Sequence, residues 1–316
     1  MTADDPENEP RGKSDLDLHT ADQASPERID AQTIATTILT KCVSGDDVSG
    51  DFAKLAEISD GGNIMEYLAT ALAEHSSMLT TPQHWMTLSK GAEVESYITV
   101  LRIARRKMSG ANRLIIATKL ADTLRRKGDK VSLEDAEQIL AEDIPTITDG
   151  ERNGEELRAL GSALYTRSFI PLGKKEKFGT GEELPALSAS LDDLRKSAEY
   201  AREGGDEENA IQSEIRVCAV QLDHNYGDAA EILETLDCLV AKLQGAGSTW
   251  AKRFLKNALG RRVEAAAKSH DAQWGMYYGE YIALPGIEQH CGGKEAFDEW
   301  KAHYNPFLPR EETESA

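Results

Sequence analysis

Residues 113–129 read RLIIATKLADTLRRKGD. Leu114, Ala117, Leu120, Ala121 and Leu124 recur at three- and four-residue steps, which puts them on one stripe of an α-helix and on no single face of a strand. Gly128 ends the run, because glycine takes the left-handed conformation that closes a helix. Ser132, with Asp135 three residues on, reads as the N-cap of the next helix in a variant of the capping box. Leu133, Ala136, Ile139 and Leu140 form that helix's apolar stripe, and Pro145 stops it.

The rest of the chain follows the same grammar. SLDDLRKSAEYAREGGD (190–206) predicts a helix capped by Ser190 and stopped at Gly204–Gly205. Ile211, Ile215, Cys218, Ala219 and Leu222 share one helical face, and Ile232, Leu236, Leu239, Val240 and Leu243 share another. A further helix follows the Gly-Ala-Gly-Ser turn at 245–248. No segment sustains the period-two alternation of a strand. The sequence therefore predicts an all-α fold of antiparallel helix pairs on short Gly-containing turns, stacked into a helical-repeat or bundle-like array. PTITDGERNG (145–154) reads as the boundary between an N-terminal helical lobe (29–148) and a C-terminal one (155–308). PLGKKEKFGTGEELP (171–185) reads as an exposed excursion.

Composition sets the class. The chain has 316 residues, 40% of them apolar and 29% charged, enough to bury a core without disulfide staples. Aromatics at 6% are few for a sandwich or barrel. Residues 1–28 carry Pro6, Pro10, Pro26 and many acids but hardly any apolar side chain, and predict a disordered acidic tail; 309–316 predict a second, short one. The opening MTADDPENEP lacks the basic end and apolar centre of a secretory signal, and no apolar run approaches the ~20 residues of a membrane span. Cys42, Cys218, Cys238 and Cys291 are scattered without a C-x-x-C pair. The expectation is a cytoplasmic protein with reduced, partly buried cysteines, needing neither membrane nor cofactor.

Some helix pairs resemble tetratricopeptide repeats. In YAREGGDEENAI (200–211), Tyr200 and Gly204 keep the aromatic-to-turn spacing and Ala210 stands near the small-residue position of a second helix. LADTLRRKGD (120–129) and LDHNYGD (222–228) echo the turn, and ALGSALY (159–165) approaches the Leu-Gly-Tyr part of the repeat pattern. A sustained 34-residue period is absent. The resemblance implies a surface that holds a peptide or a partner domain.

Enzymatic chemistry finds few footholds. His270, His290, Cys291 and His303 are the densest set of metal-binding types, but no i,i+4 His pair accompanies them. GGKEA (292–296) lacks the first glycine and the hydroxyl of a P-loop. Arg216–His224 and Arg262–His270 resemble the Arg–His signature of HEPN ribonucleases, with seven intervening residues in place of four to six. That resemblance implies general acid–base cleavage of RNA as a third reading. The aromatics of the last fifty-odd residues predict anchors for a terminal helix pair.

Charge points to the most specific candidate. Residues 101–130 hold ten Lys or Arg and two acids, a local charge of +8 in a chain whose net charge is −19. Tyr97, Val100, Leu101 and Ala104 are expected to face inward, leaving Arg102, Arg105 and Arg106 toward solvent. Arg125, Arg126 and Lys127 fall in a last helical turn, where cations complement the carbonyl end. Six of the ten are Arg, whose planar fork suits carboxylates and phosphates. Three readings follow: these cations pair with the chain's own acids, they bind the acidic surface of another protein, or they bind nucleic acid. The expected function is a non-enzymatic adaptor or regulatory subunit that uses Arg102, Arg105, Arg106, Arg125, Arg126 and Lys127, with nucleic-acid binding as the alternative.

Overall fold

The computed structural model describes residues 30–38, 49–58, 67–68, 71, 98, 101–102, 104–106, 108–147, 152–179, 182–246 and 248–304. The expected tails, 1–28 and 309–316, lie outside the described residues, as do Cys42, Tyr97, Val100, Lys107 and Phe307. Among the described residues the regular structure is entirely helical. The elements used below are α1 (Ser49–Ile58), α2 (Gly110–Lys127), α3 (Lys130–Asp143), α4 (Gly154–Phe178), α5 (Glu183–Glu203), α6 (Glu207–Asp223), α7 (Ala229–Ala246), α8 (Thr249–Lys268), α9 (Trp274–Ile282), α10 (Ile287–His290) and α11 (Lys294–Tyr304). The chain is thus all-α, with packed pairs α2–α3, α4–α5 and α7–α8. No described helix is long and apolar enough to cross a membrane.

The apolar stripes read from sequence are the buried ones. Leu114, Ala117, Leu120, Ala121 and Leu124 face inward on α2, and Leu133, Ala136, Ile139 and Leu140 on α3. Gly128 closes α2 at φ 75°, donating its N–H to Leu124 O at 3.3 Å. The cap of α3 is Asp129, not Ser132. Its carboxylate accepts from Ser132 N at 2.9 Å and from Ser132 Oγ at 2.7 Å. An aspartate directly after the closing glycine is already placed to accept from the first turn, so Ser132 lies inside the helix.

The stretch 171–185 is not an excursion. α4 runs through Pro171 to Phe178, and α5 begins at Glu183, so Ser190 sits within α5 instead of capping it. An internal proline costs a helix about 3 kcal/mol. Ile170 and Leu172 are both buried on either side of it, and a buried aliphatic side chain contributes ~1.5–3 kcal/mol, so packing offsets the break. Ser190 Oγ donates instead to Ser168 O on α4 at 2.7 Å.

α4 contributes to two apolar clusters. Ala159, Leu160, Ala163 and Ile170 pack into one apolar cluster with Leu101, Ala104, α2 and α3. The 145–154 segment therefore links elements that share that cluster. Leu172 of α4 packs with Leu187, Leu191 and Leu194 of α5 and Val220 of α6. A third cluster runs from Ile211 of α6 to Tyr304 of α11. At its far end Trp300 stacks parallel to Tyr278, with ring centroids 5.9 Å apart, and tilts against Tyr281 and Tyr304 at 4.7 Å.

α5 approaches α4 closely at Gly161. A Cβ there would lie 3.1 Å from Ser197 O and 3.2 Å from Ala201 N. Ser197 Oγ donates to Gly161 O at 2.7 Å and lies 2.9 Å from Ser213 Oγ of α6. A Cβ at Gly173, also within α4, meets nothing within 4 Å. Gly161→Val is therefore expected to destabilise the fold by about 1–3 kcal/mol through overpacking. Gly173→Ala is expected to stabilise it by about 0.5–1 kcal/mol through helix propensity. Urea denaturation of the two variants measures both.

Candidate functional site

The cations of 101–130 are largely spent on the chain's own acids. Asp143, the last residue of α3, is fully buried and is gripped from two sides. Arg105 Nε and Nη2 donate to its two oxygens at 2.6 and 2.9 Å, and Arg113 Nε and Nη2 donate to Oδ1 at 3.0 and 2.8 Å. Arg105 also reaches Glu142 at 2.7 Å. These hydrogen bonds, Asp143's first, bind the Arg105 proton more tightly than usual and outweigh the opposing effect of burial. Arg105 accordingly turns inward, contrary to expectation, because a buried carboxylate needs a partner.

The remaining cations differ in their surroundings. Arg102 pairs with Asp135. Asp122 holds Arg125 at 2.6 Å and Arg126 at 2.8 Å, and Lys127 lies 3.8 Å from Asp129. Burial would raise the Asp122 carboxyl, but Arg125 and Arg126 outweigh it and hold the group below the usual carboxylate range. Burial pushes the Lys119 ammonium down to about 8, with Asp122 opposing. Arg106 is exposed and has no partner among the described residues. Counted this way, Arg102, Arg105, Arg113, Arg125, Arg126 and Lys127 all meet acids of α2, α3 or the turn between them.

Arg125 belongs to a second arrangement that charge counting did not reveal. Its guanidinium carbon lies 4.6 Å from the centroid of the Phe169 ring on α4, and that of Arg216 on α6 lies 4.9 Å from the same centroid. Both distances suit cation–π contact. Tyr165, one turn before Phe169, meets it edge-on at 5.2 Å and accepts from Gln212 Nε2 of α6 at 2.9 Å. Further along α6, Asp223 accepts from Arg261 of α8 at 2.5 Å, and Arg261 also reaches Glu264 at 2.7 Å. Contacting side chains thus join α2, α4 and α6 through Arg125, Phe169 and Arg216, and a separate pair farther along α6, Asp223 with Arg261, continues this polar and aromatic row to α8. Sequence reading singled out Arg125 and Arg216 separately, met Tyr165 only as the tyrosine of ALGSALY, and had no signal for Phe169 or Gln212.

Other candidate groups lie elsewhere. His224, at the end of α6, has Nδ1 3.4 Å from Glu183 Oε1, while Arg216 is turned to Phe169. Arg262 is held by Asp237 at 2.5 Å and Glu280 at 3.1 Å, over the ring of Tyr277. His270 takes a left-handed φ of 56° and lines a cleft of about 390 Å³ with Gln221, Asn225, Tyr226 and Lys268. Within that cleft Lys268 is already bonded to Leu222 O and Asn225 Oδ1. Cys218 is buried, and burial pushes its thiol up to about 12, whereas Cys238 is exposed. Cys291 Sγ lies 3.5 Å from Tyr281 Oη. No group of three or more His, Cys, Asp or Glu among the described residues could hold a metal ion.

No family model, no curated protein and no solved structure matches this chain.

Two outcomes follow from the paired acids. Asp143→Ala strands Arg105 and Arg113, and breaking a buried pair typically costs about 3–5 kcal/mol, so a large drop in the urea midpoint is expected. Asp122, with its depressed pKa, contributes stability that is complete above the unfolded carboxylate value of about 4 and is lost as pH falls through the lower folded value. Asp122→Asn should therefore reduce stability at pH 7 and flatten the acid limb of a thermal-melt series from pH 7 to pH 2.

Proposed function

We propose that this chain is a non-enzymatic adaptor or regulatory subunit, a TPR-like stack of helix pairs that holds a segment of another protein along α2, α4, α6 and α8. The observation that supports this reading is that Phe169 joins Arg125 of α2 to Arg216 of α6, while Asp223 farther along α6 joins Arg261 of α8. Stacked hairpins bury their shared faces and leave one edge of each to solvent, and a row that crosses successive hairpins is suited to an extended ligand. Of the six cations expected to recognise a partner, Arg125 stands in this row. Arg102, Arg105, Arg126 and Lys127 are paired to the chain's own acids and shape the hairpin that presents it.

A protein partner fits better than nucleic acid because carboxylates are interleaved with the cations. Asp122 and Asp223 belong to the row, and Glu264 adjoins it. In a chain of net charge −19 they repel a continuous phosphate backbone, whereas a peptide can place its charges between them. The test is capture from source lysate with and without nuclease, using the full chain and Phe169→Leu. The expected result is one protein, retained after nuclease treatment and lost from the variant, with circular dichroism unchanged. Recovery of nucleic acid alone, or capture indifferent to Phe169→Leu, overturns the reading.

A further inference from the structure

Arg216 is the unbalanced charge in this row. It is half-buried between α4 and α6, yet its guanidinium has no hydrogen-bond or ion-pair partner among the described residues. Arg105, Arg113, Arg125, Arg167, Arg261 and Arg262 all meet carboxylates. Desolvation lowers the Arg216 pKa, with Tyr165 and Asp223 opposing, as it must for a cation drawn from water without a counter-ion. A buried charge left in that state is costly unless something pairs with it. The contact with Phe169 offsets part of that cost and leaves the five N–H donors unused.

We propose that Arg216 is the recognition site for a carboxylate side chain on an acidic peptide segment of a partner protein. Its planar fork can donate two parallel hydrogen bonds to one carboxylate, as Arg167 does to Asp193 at 2.8 and 2.6 Å. Phe169 holds the fork from one side, and Arg125, itself bonded to Asp122, adds positive potential across the ring. Asp122 on one flank and Asp223 on the other limit how many negative charges the site accepts, so acidic residues must be spaced along the ligand. This inference rests on the adaptor reading for the source of the segment. The site itself can be tested without it.

The test measures anisotropy of a fluorescein-labelled peptide whose glutamates are separated by Gly-Ser pairs, with the full chain. Arg216→Gln should weaken binding roughly tenfold, the loss expected for a charge-assisted hydrogen bond. Lys242→Gln, exposed on α7, should change it less than twofold. The melting temperature of Arg216→Gln should hold or rise, because an uncompensated cation is removed. Arg216→Lys keeps the charge without the fork and supplies a second variant should the glutamine form fold poorly; it should bind with intermediate affinity. Equal binding by wild type and Arg216→Gln overturns the site, as does an equal loss from Lys242→Gln. An oligothymidylate bound more tightly than the peptide, with the same dependence on Arg216, also overturns it in favour of phosphate. Capture of a cellular partner that survives Arg216→Gln removes the site and leaves the adaptor reading. Peptide binding without any cellular partner does the reverse.

Discussion

The contact at Gly161 sets the position of most of what surrounds it. With no Cβ, α4 and α5 approach until Ser197 Oγ can donate to the Gly161 carbonyl, and Ser213 of α6 joins at the same point. Three helices are thereby held at one level by small side chains, Ser197 and Ser213 with Ala201 beside them. Everything α4 carries is placed from there: Ala159, Leu160 and Ala163 toward α2 and α3, Leu172 toward α5 and α6, and Tyr165 and Phe169 into the row between α2 and α6. The spacing between helices is short because the residues at the seam are short, and that spacing lets one phenyl ring meet guanidinium groups from two neighbouring helices.

Electrostatics is organised by the same proximity. A chain with 36 basic and 55 acidic side chains has acids in excess, so a cation that stays unpaired does so against the odds. The basic 101–130 stretch looks like a ligand site while it is read as a line. In three dimensions α3 returns along it and delivers Asp135, Glu142 and Asp143. Burial decides how much each pair is worth. Exposed pairs such as Lys127–Asp129 contribute at most ~1 kcal/mol, while Asp143 is fully enclosed and depends on Arg105 and Arg113.

How legible this was in the sequence depends on the range of the interaction. Stripes set by the 3.6-residue period, such as Leu114 to Leu124 and Ile211 to Leu222, are local and could be read residue by residue. Helix ends were less legible because competing signals are local too: Asp129 and Ser132 are both good caps, and Pro171 looks like a stop until the burial of Ile170 and Leu172 is known. The site was least legible. Arg105 and Asp143 are 38 residues apart, and Tyr165 and Gln212 are 47 apart, so no spacing rule connects them. Arg125 was found through charge density. Arg216 was noticed only for its distance from His224.

The alternation of helices explains why the row exists. Each helix of a stacked pair has one side against its mate and another against the next pair, so alternate helices meet along one edge: α2 with α4, α4 with α6, α6 with α8. Side chains on that edge have neighbours from two other helices. An aromatic ring there can bury its faces against guanidinium groups while its edge stays wet, which suits a surface that must remain open to a ligand. The same geometry creates the imbalance at Arg216. Along α6 the acid nearest its own face is Asp223, two turns away and already bonded to Arg261, so Arg216 lies against Phe169 without an ion pair among the described residues.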